Sequence, residues 1–459
     1  MGDFEFDAEL IRKYDCAGPR YTSYPTAAHF RTDFGPDDYR RAARERKEAE
    51  VVRPLALYVH IPFCASPCFY CACNRIITRS LDRARGYLAR LHKEIDMQAE
   101  CFTDAGRIEQ MHFGGGTPTF LPTPDLAGMV EHLRQRFELT DSPDREYSIE
   151  IDPRTVSPES IHELTAIGFN RMSVGVQDYD PHVQEAINRV QTPEETHRIV
   201  AAMRDAGVRS INFDLIYGLP EQSVETFSHT LDTVLEARPE RLAVYAYAHL
   251  PQMFRAQRRL EAHRLPDAPT RLALLELAIR KLTAAGYVYI GMDHFALPTD
   301  DLVAAKREGT LQRNFQGYST HADSDLVGLG VSAIGRVGRA YAQNFKQLDD
   351  YYRAIDSGEL AIGRGVWLGP DDLVRAAVIQ SLMCYECIDC TAISQRFGID
   401  FKRYFRAELE RLQELQADGL IYVRGNTIRL TPMGRLLMRI VAMVFDACGV
   451  SGRVWSKAI

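Results

Sequence analysis

The hydrophobic positions of the chain follow two alternating patterns from residue 55 to residue 247. Short apolar runs predict buried strands, and the stretches between them carry apolar residues at helical spacing. The predicted strands are residues 55–61, 110–113, 147–151, 171–176, 210–216 and 242–247, and the predicted helices lie near residues 79–102, 124–137, 157–167, 193–206 and 223–236. Strands and helices in regular alternation predict a parallel sheet with right-handed crossovers.

This alternation predicts an α/β protein built around an open, partial TIM-type (β/α)6 barrel. Six units over roughly 200 residues fit an open barrel better than a closed eight-stranded one, which typically needs about 250 residues. We expect the barrel at residues 51–300 of the 459-residue chain, followed by a connector at residues 301–360. The irregular, glycine-rich stretch 287–345 either lines a pocket or only links two domains.

The two ends of the chain depart from this pattern. Residues 1–50 are predicted to form an arm, because Pro25 excludes a regular helix from segment 18–27 and a short helix is expected only after Pro36. The arm is either a lid over a site or a tail on the surface. Residues 361–459 predict a mainly helical, winged-helix-like domain, with a hairpin and a final helix capped at Thr431. A scaffold is favoured over DNA binding, because the module lacks a basic stripe.

Composition narrows the classes of function. The net charge of −7 argues against general nucleic-acid binding. No apolar stretch reaches the roughly 18 uninterrupted residues of a transmembrane helix, so we expect no membrane span. The acidic start lacks the apolar core of a signal peptide, and ten cysteines suit a reducing compartment, so we expect a cytoplasmic protein. A monomer is the default expectation.

A loop after the first predicted strand carries the strongest chemical signal. Cys64, Cys68 and Cys71 have CxxxCxxC spacing, which differs from the paired CxxC motifs of structural zinc sites. Three thiolates can hold three irons of a [4Fe–4S] cluster and leave the fourth iron open to a small molecule. Cys73 follows two residues after Cys71, so a closed cluster with four cysteines remains an alternative, although this short separation favours the open iron.

A second cysteine run lies in the last hundred residues. Cys384, Cys387 and Cys390 have CxxCxxC spacing, which permits a second metal site. Cysteines three residues apart in a helix lie near one face, so packing in a hydrophobic core is the favoured interpretation.

Polar residues cluster where the predicted strands end. Glu150, Gln177 and Asp214 occupy such positions, and barrels of this type place their active sites at the carboxyl ends of the strands. A buried carboxylate requires a partner, so Glu150 and Asp214 each either bind a ligand or belong to a structural salt bridge. Gln177 is either a ligand-binding amide or a satisfied core amide. Arg189, taken alone, is most simply a solvated charge at a helix end.

The glycine run at residues 114–116 follows the second predicted strand. It is either a tight turn or a place where backbone amides approach a ligand closely. Together, the carboxylates, the amide and the exposed backbone fit a ligand with cationic, zwitterionic and ribose groups.

Further motifs run along the chain in order. They are PRYTSYPTA (residues 19–27), HIPFC (60–64), GGGTPT (114–119), SIEIDPR (148–154), GVQD (175–178), DLIYGLP (214–220), YAHLP (247–251), QRNFQGY (312–318) and LTPMGR (430–435). With the cysteine loop and its CxC at residues 71–73, this series resembles the oxygen-independent coproporphyrinogen III oxidase family of the radical S-adenosylmethionine superfamily. The resemblance covers nearly the whole chain.

The resemblance implies a reaction and a set of partners. The reaction is oxidative decarboxylation of two propionate side chains of coproporphyrinogen III to vinyl groups, which gives protoporphyrinogen IX in anaerobic haem biosynthesis. A 5′-deoxyadenosyl radical from S-adenosylmethionine would start it, at a [4Fe–4S] cluster held by Cys64, Cys68 and Cys71, with Cys73 outside the ligand set. An electron donor such as flavodoxin or ferredoxin and an electron acceptor are also implied.

The resemblance further implies two S-adenosylmethionine molecules. Positions around the cluster-bound molecule match Tyr58, Gly115, Glu150 and Ile334. Positions around the second molecule match Tyr70, Gly116, Thr117, Gln177, Arg189, Asp214 and Ala248. Tyr70 stands where the family has a phenylalanine, so its hydroxyl group needs a partner.

Two relatives in the same superfamily are alternatives: a haem chaperone and a radical methyltransferase that opens the haem ring. The arm and the CxC argue against both. Arg20 and Arg313 are candidates for binding the carboxylates of the substrate, on charge alone.

Overall fold

The computed structural model of the protein describes residues 7–103, 106–321, 324–449 and 455. The first six residues, which belong to the acidic start that argues against a signal peptide, lie outside the described residues. Within the described ranges, no helix combines the length and the apolar composition that crossing a bilayer requires.

The N-terminal arm contains two helices, α1 (Ala8–Tyr14) and α2 (Pro36–Lys47). Helix α2 begins at Pro36 as predicted, because a proline at the first helical position loses no hydrogen bond. Apart from a 3₁₀ turn at Ala27–His29, the segment between the two helices has no helix. Tyr21 and Tyr24 of this segment are buried in the hydrophobic core of the C-terminal domain. The arm is therefore packed between other parts of the molecule.

The alternating region forms the predicted barrel. In chain order its elements are β1 (Leu55–Ile61), β2 (Phe63–Cys64), β3 (Ile76–Ile77), α3 (Leu81–Cys101), β4 (Ile108–Gly115), α4 (Thr123–Arg136), β5 (Glu146–Ile151), α5 (Pro158–Ile167), β6 (Arg171–Gln177), α6 (Pro181–Ala186), α7 (Pro193–Asp205), β7 (Ser210–Tyr217), α8 (Val224–Ala237) and β8 (Arg241–Ala246). The six predicted strands and five predicted helices are all present, with boundaries within two residues of prediction. Side-chain caps set several helix starts, at Ser80, Ser157, Thr192 and Ser223.

The stretch that follows the barrel is more regular than its sequence indicates. Its elements are α9 (Ala268–Ala284), β9 (Val288–Gly291), β10 (His294–Ala296), α10 (Asp301–Glu308), β11 (Gln312–Asn314), β12 (Gly317–Ser319), β13 (Asp325–Leu329), β14 (Ile334–Val337), β15 (Ala340–Asn344), α11 (Leu348–Asp356) and β16 (Ile362–Trp367). Glycines interrupt the apolar pattern of β13 and β14, which explains why the sequence predicts no strands there.

Within the described residues, one sheet joins twelve strands in the order β16-β15-β14-β13-β1-β4-β5-β6-β7-β8-β10-β9. The strands β1, β4, β5, β6, β7 and β8 are parallel neighbours in sequence order, as the partial barrel requires. Strand β13 adds a seventh parallel strand beside β1, where Asp325 pairs with Leu55. Both edges continue in antiparallel strands. The long sequence separation between β13 and β1 explains why no local pattern predicts this strand.

The C-terminal domain has its own hydrophobic core. Its elements are α12 (Pro370–Tyr385), β17 (Cys387–Asp389), α13 (Cys390–Phe397), α14 (Phe401–Tyr404), α15 (Arg406–Ala417), β18 (Ile421–Arg424), β19 (Thr427–Leu430), α16 (Pro432–Leu436) and α17 (Met438–Val444). The predicted hairpin and the cap at Thr431 are present. The prediction of one final helix is wrong, because a tight turn in which the Ile440 N–H donates to the Leu437 carbonyl divides it. The domain boundaries at residues 50, 300 and 360 stay predictions.

Candidate active site

A cavity of about 470 Å³ lies at the carboxyl ends of the parallel strands, the face where such barrels hold their chemistry. The loop between β2 and β3, which contains the cysteines, forms one wall, and the ends of β4 to β7 form another. The cavity brings together most of the predicted site residues, namely Cys64, Cys68, Tyr70, Cys71, Gly115, Gly116, Thr117, Glu150, Gln177, Arg189 and Asp214. Residues far apart in sequence therefore share one binding space.

Three of the predicted site residues do not line this cavity. Tyr58 is stacked on His112, with 5.8 Å between ring centroids. Ala248 lines a separate cavity beyond the end of β8. Ile334 lies on β14, packed against the hydrophobic cluster of Phe30. None of these three residues lines the cysteine cavity, and their roles stay predictions.

The cysteine loop is held in shape from both flanks. Strand β2 pairs in parallel with β3, which sets Cys64 opposite Ile77. The guanidinium of Arg75 donates to the carbonyl oxygens of Cys68 and Cys71, each at 3.0 Å. From the other side, the amide of Gln257 donates to the carbonyl oxygen of Tyr70 at 2.9 Å. These contacts fix the backbone while the thiols face the cavity.

Cationic and hydroxyl groups surround the thiols. Nη1 of Arg189 lies 3.6 Å from Sγ of Cys68, and the Thr117 hydroxyl donates to Sγ of Cys64 at 3.5 Å. Burial raises the pKa of Cys64 to about 11. Hydrogen bonding from Cys73 lowers the pKa of Cys71 to about 6 against the effect of burial. Positive charge and hydrogen bonds favour the thiolate, which is the form that binds metal.

Arg189 is buried, with only 6% of its surface exposed, so its interpretation as a solvated charge is wrong. Its guanidinium donates to the Gly175 carbonyl at 2.7 Å and to Asp152 at 3.0 Å. Asp152 also accepts from Arg154 at 2.7 Å. Burial alone would raise the pKa of Asp152, but Arg189 and Arg154 hold that pKa at about 2. Two guanidinium groups around one carboxylate leave net positive charge beside the cysteines.

Glu150 faces the cavity from β5. It accepts a hydrogen bond from the N–H of Gly115 at 3.0 Å, and its other oxygen lies 3.4 Å from Nε2 of His112. Burial alone would raise the pKa of Glu150, but these two partners outweigh burial and hold the pKa below its usual value. Glu150 is therefore a carboxylate at neutral pH, and 42% of its side chain is still exposed. That exposed surface is available to a ligand.

Asp214 faces the same cavity from β7. It accepts hydrogen bonds from neutral groups, the Ser173 hydroxyl at 2.9 Å and the Asn212 amide at 3.0 Å. Burial and repulsion from Glu150 raise the pKa of Asp214 to about 6. In the described part of the chain Asp214 forms no salt bridge, so the structural alternative does not account for it. A ligand hydroxyl or cation would relieve its burial.

The glycine run brings β4 against the cysteine segment. A Cβ at Gly116 would lie 2.7 Å from the carbonyl group of Pro62, so only glycine permits this approach. The N–H of Gly116 donates to the carbonyl of Ile61 at 2.8 Å. The N–H of Thr117 donates to the carbonyl of Phe63, also at 2.8 Å. In this structure these amides bind protein rather than a ligand, and the glycines serve to position the cavity wall.

The thiols suit an iron–sulfur cluster rather than a single metal ion. Among the described residues, no three His, Cys, Asp or Glu side chains are arranged to hold one ion. A [4Fe–4S] cluster needs a different arrangement, because each thiolate binds a separate iron at its own corner. Cys64, Cys68 and Cys71 on one wall fit that requirement. Cys73 lies on the same wall, so a fourth ligand stays an alternative.

Several residues of the cavity wall are not among those predicted to bind a cofactor or metal, namely Arg75, Asp152, Arg154, Ser173, Gly175 and Tyr245. Asp152 and Arg154 follow directly after a predicted strand, and a charge at a strand end is a sequence feature that indicates a site. No local sequence feature of Arg75 or Tyr245 indicates a site. Their positions follow from the path of the loop and the end of β8.

A second cavity, of about 280 Å³, lies beyond the end of β8. Arg20 of the arm and Arg271 of α9 line it, together with Ala248. Arg20 forms an ion pair with Asp293 and lies over the ring of Tyr245, 5.8 Å from the centroid. The Tyr245 ring also lines the cysteine cavity. The arm therefore brings a guanidinium group next to the candidate active site.

Positive charge exceeds negative charge around Asp293. Burial alone would raise the pKa of Asp293, but Arg20, His294 and Arg313 hold that pKa below its usual value. Burial, with repulsion from Arg20, lowers the pKa of Arg439 to about 10. Arg313 itself is buried, 4.9 Å from the ring centroid of Tyr318, and it lines neither cavity. Of the two arginines selected on charge, only Arg20 reaches a cavity.

The open barrel, the CxxxCxxC loop and the cavity at the strand ends define a radical S-adenosylmethionine protein. The family model described as "Radical SAM superfamily" matches residues 58–234, and "HemN C-terminal domain" matches residues 368–437. The superfamily implies a [4Fe–4S] cluster and S-adenosylmethionine.

Whole-chain comparisons narrow this class. The oxygen-independent coproporphyrinogen III oxidase of Pseudomonas aeruginosa is 50% identical over 97% of this chain and 96% of its own. The protein of the same name from Escherichia coli is 46% identical over 96% of this chain and 95% of its own. The solved structure of coproporphyrinogen III oxidase (HemN) from Escherichia coli, a radical SAM enzyme, matches with a TM-score of 0.92 at 44% identity, covering 97% of this chain and 100% of that one. The chain belongs to the oxygen-independent coproporphyrinogen III oxidase family.

Proposed function

We propose that this chain converts coproporphyrinogen III to protoporphyrinogen IX by oxidative decarboxylation of two propionate side chains to vinyl groups, in anaerobic haem biosynthesis. The observation that carries the proposal is the cavity that joins the CxxxCxxC loop to the carboxylates of β5 and β7. The shared name of relatives that match nearly the whole chain supports the same reaction here. Packing of the arm next to this cavity supports a substrate that must be enclosed.

The cofactors supply the reactivity and the chain supplies the binding groups. When bound, a reduced [4Fe–4S] cluster and S-adenosylmethionine supply a 5′-deoxyadenosyl radical that removes hydrogen from an unactivated carbon. Cys64, Cys68 and Cys71 would hold three irons and leave the fourth to the amino and carboxylate groups of S-adenosylmethionine. Glu150 and Gly115 would bind this molecule. Tyr58 would act through His112, on which it stacks and which contacts Glu150.

A second S-adenosylmethionine molecule belongs to the proposal. The residues proposed to surround it are Tyr70, Gly116, Thr117, Gln177, Arg189, Asp214 and Ala248. The charged groups support a zwitterionic, ribose-bearing ligand, because Arg189 carries positive charge and Asp214 accepts hydrogen bonds. Ala248 lines the second cavity, so its contact would come from that side.

The second cavity is proposed to receive carboxylates of the substrate. Arg20 and Arg271 present guanidinium groups there, and a guanidinium is the side chain best suited to a carboxylate. The excess of positive charge around Asp293 supports an anionic ligand. Arg20 lies over the ring that borders the cysteine cavity, so a substrate bound there would extend toward the cofactors.

The remaining requirements are an electron donor, such as flavodoxin or ferredoxin, and an electron acceptor. The radical needs one electron to form, and the decarboxylation releases one electron with CO₂. We propose a monomeric, cytoplasmic enzyme, which agrees with the composition of the chain.

The test is an anaerobic assay of the reconstituted protein with S-adenosylmethionine, a reductant and coproporphyrinogen III. The proposal predicts protoporphyrinogen IX together with 5′-deoxyadenosine, and no product from Cys68→Ala. Cys16→Ala is the matched control, because Cys16 is exposed and lies in the arm rather than in the cavity. Cofactor cleavage without decarboxylation, or tight haem binding alone, would contradict the proposal and favour the haem-handling relatives.

A further inference from the structure

The surface around the cysteine loop has a composition unlike the rest of the chain. Two segments flank the loop, residues 74–85 and residues 253–259. Together they contain seven arginines and one acidic residue, in a protein whose net charge is −7. This local concentration of positive charge is not explained by the proposed substrate site, because of these arginines only Arg75 lines the cysteine cavity.

The first segment is joined directly to a proposed cluster ligand. Ile77 pairs with Cys64, and the N–H of Thr78 donates to the Cys64 carbonyl at 3.0 Å. The adjoining Arg79 and Arg83 are exposed, and neither forms a salt bridge with another described residue. Their charges are therefore directed to solvent at one border of the loop.

The second segment contacts the loop from the opposite flank. It includes the short 3₁₀ helix Arg255–Arg259. Gln257 binds the Tyr70 carbonyl, and the guanidinium of Arg259 lies 5.1 Å from the ring centroid of Phe69. Phe69 sits between Cys68 and Cys71 in sequence. Arg255 and Arg258 are exposed beside it, again without a salt bridge to a described residue.

Apolar side chains are exposed among these charges. Ile77 is 41% exposed, Val190 60% and Met253 54%. Val190 belongs to this surface because the adjacent Asn188 donates to the Pro67 carbonyl of the loop at 2.6 Å. Exposed apolar groups bordered by charged side chains, here mainly arginines, are typical of a protein-binding surface.

We propose that this basic surface, formed by residues 74–85, 188–190 and 253–259, docks a small acidic electron-carrier protein. The proposal rests on the cluster of the proposed function. One electron leaves the carrier and reduces the cluster by one electron, with no proton or atom transferred. Electron transfer requires close approach, and this surface covers the loop that would hold the cluster. Opposite charge steers such encounters, and small interfaces suffice for them.

The experiment uses flavodoxin as the probe and the doubly substituted variant Arg79→Glu/Arg258→Glu, with one change on each flank. The control is Arg403→Glu/Arg424→Glu, which makes the same charge change at exposed sites of the C-terminal domain. Binding of oxidised flavodoxin and the second-order rate of cluster reduction by its reduced form are measured without coproporphyrinogen III. We expect the first variant to lose roughly tenfold in both, and the control to match the wild type. Added salt should slow the wild type and affect the first variant little.

Dithionite separates docking from damage to the site, because it is small and needs no docking surface. Cluster reduction by dithionite and iron content should be unchanged in Arg79→Glu/Arg258→Glu. Equal flavodoxin binding and reduction rates in both variants would overturn the proposal. A loss of dithionite reduction, or a raised KM for coproporphyrinogen III in the dithionite-driven assay, would overturn it as well by assigning these arginines to the site itself. The binding measurement requires neither substrate nor cluster, so failure of the proposed reaction would leave it interpretable.

Discussion

Two cysteine runs of this chain have similar spacing and different surroundings. Cys64, Cys68 and Cys71 lie on a loop, where Arg75 and Arg189 approach and a cavity opens. Cys384, at the end of α12, is fully buried and accepts a hydrogen bond from the Gln380 amide at 3.4 Å. Spacing alone therefore does not identify a metal site. The two runs differ in the backbone that carries the cysteines and in the charged groups next to the thiols.

The pKa of Cys71, lowered to about 6, differs from those of the C-terminal thiols, although Cys64 shares their raised pKa. Burial raises the pKa of Cys384 to about 12 and that of Cys390 to about 11, and no guanidinium of a described residue donates a hydrogen bond to either thiol. Cys387 begins β17, Cys390 begins α13, and the three belong to three different elements. Cys384 and Cys390 are buried in hydrophobic clusters, which supports core packing for these two, and Cys387 is half-buried.

The largest expected effect is a difference in iron content between variants of the two cysteine runs. Cys68→Ala should abolish cluster assembly, because one of the three proposed iron ligands is lost. Cys384→Ala should keep full iron and sulfide content and lower the free energy of unfolding by about 1 kcal/mol, as for an ordinary small core change. Iron and sulfide analysis after anaerobic reconstitution, with urea unfolding, measures both. Loss of iron from Cys384→Ala would contradict the comparison.

A second contrast uses one ion-paired arginine from each region, Arg189, which is buried, and Arg375, which is half-buried. Arg189 pairs with Asp152 beside the loop, and Arg375 pairs with Glu408 at 2.9 Å in the C-terminal domain. Arg189→Gln should cost about 2–3 kcal/mol of unfolding free energy, because the buried Asp152 loses a partner. Arg375→Gln should cost less, about 1 kcal/mol, because Arg375 and Glu408 are half-buried. Only Arg189→Gln should also weaken S-adenosylmethionine binding, measured by equilibrium dialysis. An equal loss of S-adenosylmethionine binding in Arg189→Gln and Arg375→Gln would contradict a binding role specific to Arg189.

Asp214 should make the free energy of unfolding depend on pH. Its pKa in the folded protein is raised to about 6, above the unfolded value near 3.9, so the folded state binds more protons between these values. The contribution of Asp214 to the free energy of unfolding therefore increases as pH falls from 7 to 4. We expect the apoprotein to gain about 2 kcal/mol over that range relative to Asp214→Asn, a value reduced for partial exposure. Parallel pH profiles of the two proteins in urea unfolding would contradict this.

The smallest expected effect comes from His92, which lies outside the cavity. Its contribution to stability should change with pH in the direction opposite to that of Asp214. Burial, with repulsion from His132, lowers the pKa of His92 on α3. The unfolded chain then binds more protons, so this contribution to stability is present above about pH 6.5 and is lost as pH falls. His92→Gln should flatten the profile between pH 7 and 5 by less than about 1 kcal/mol, since His92 is only half-buried. An unchanged profile would show that this pair does not titrate.

The sequence predicted the elements whose pattern is local. The six parallel strands and the helices between them follow from apolar periodicity, and Ser157 and Thr192 mark helix starts through their caps. Strand β13 was not predictable in this way, because it pairs with β1 across a long sequence separation. The division of the last helix at Leu437 likewise follows from tertiary packing rather than from its apolar spacing.

The site was predictable to the extent that its residues mark strand ends. Glu150 and Asp214 stand out as carboxylates in apolar strands, and both line the cavity. Arg189 was misread because its sequence context is polar, whereas its burial arises from contacts with Asp152 and Gly175. Gln257 carries no local signal, since only the folded chain brings it to the cysteine loop.

The central claim is that three cysteines of the loop hold a cluster with one open iron. The most direct measurement is electron paramagnetic resonance of the reduced, reconstituted wild type and of Cys73→Ala, each with and without S-adenosylmethionine. The account predicts about four irons per chain in both proteins, and a spectrum that changes in both when S-adenosylmethionine is added. An unchanged wild-type spectrum, or loss of the cluster in Cys73→Ala, would contradict it and would indicate a closed cluster with four cysteine ligands.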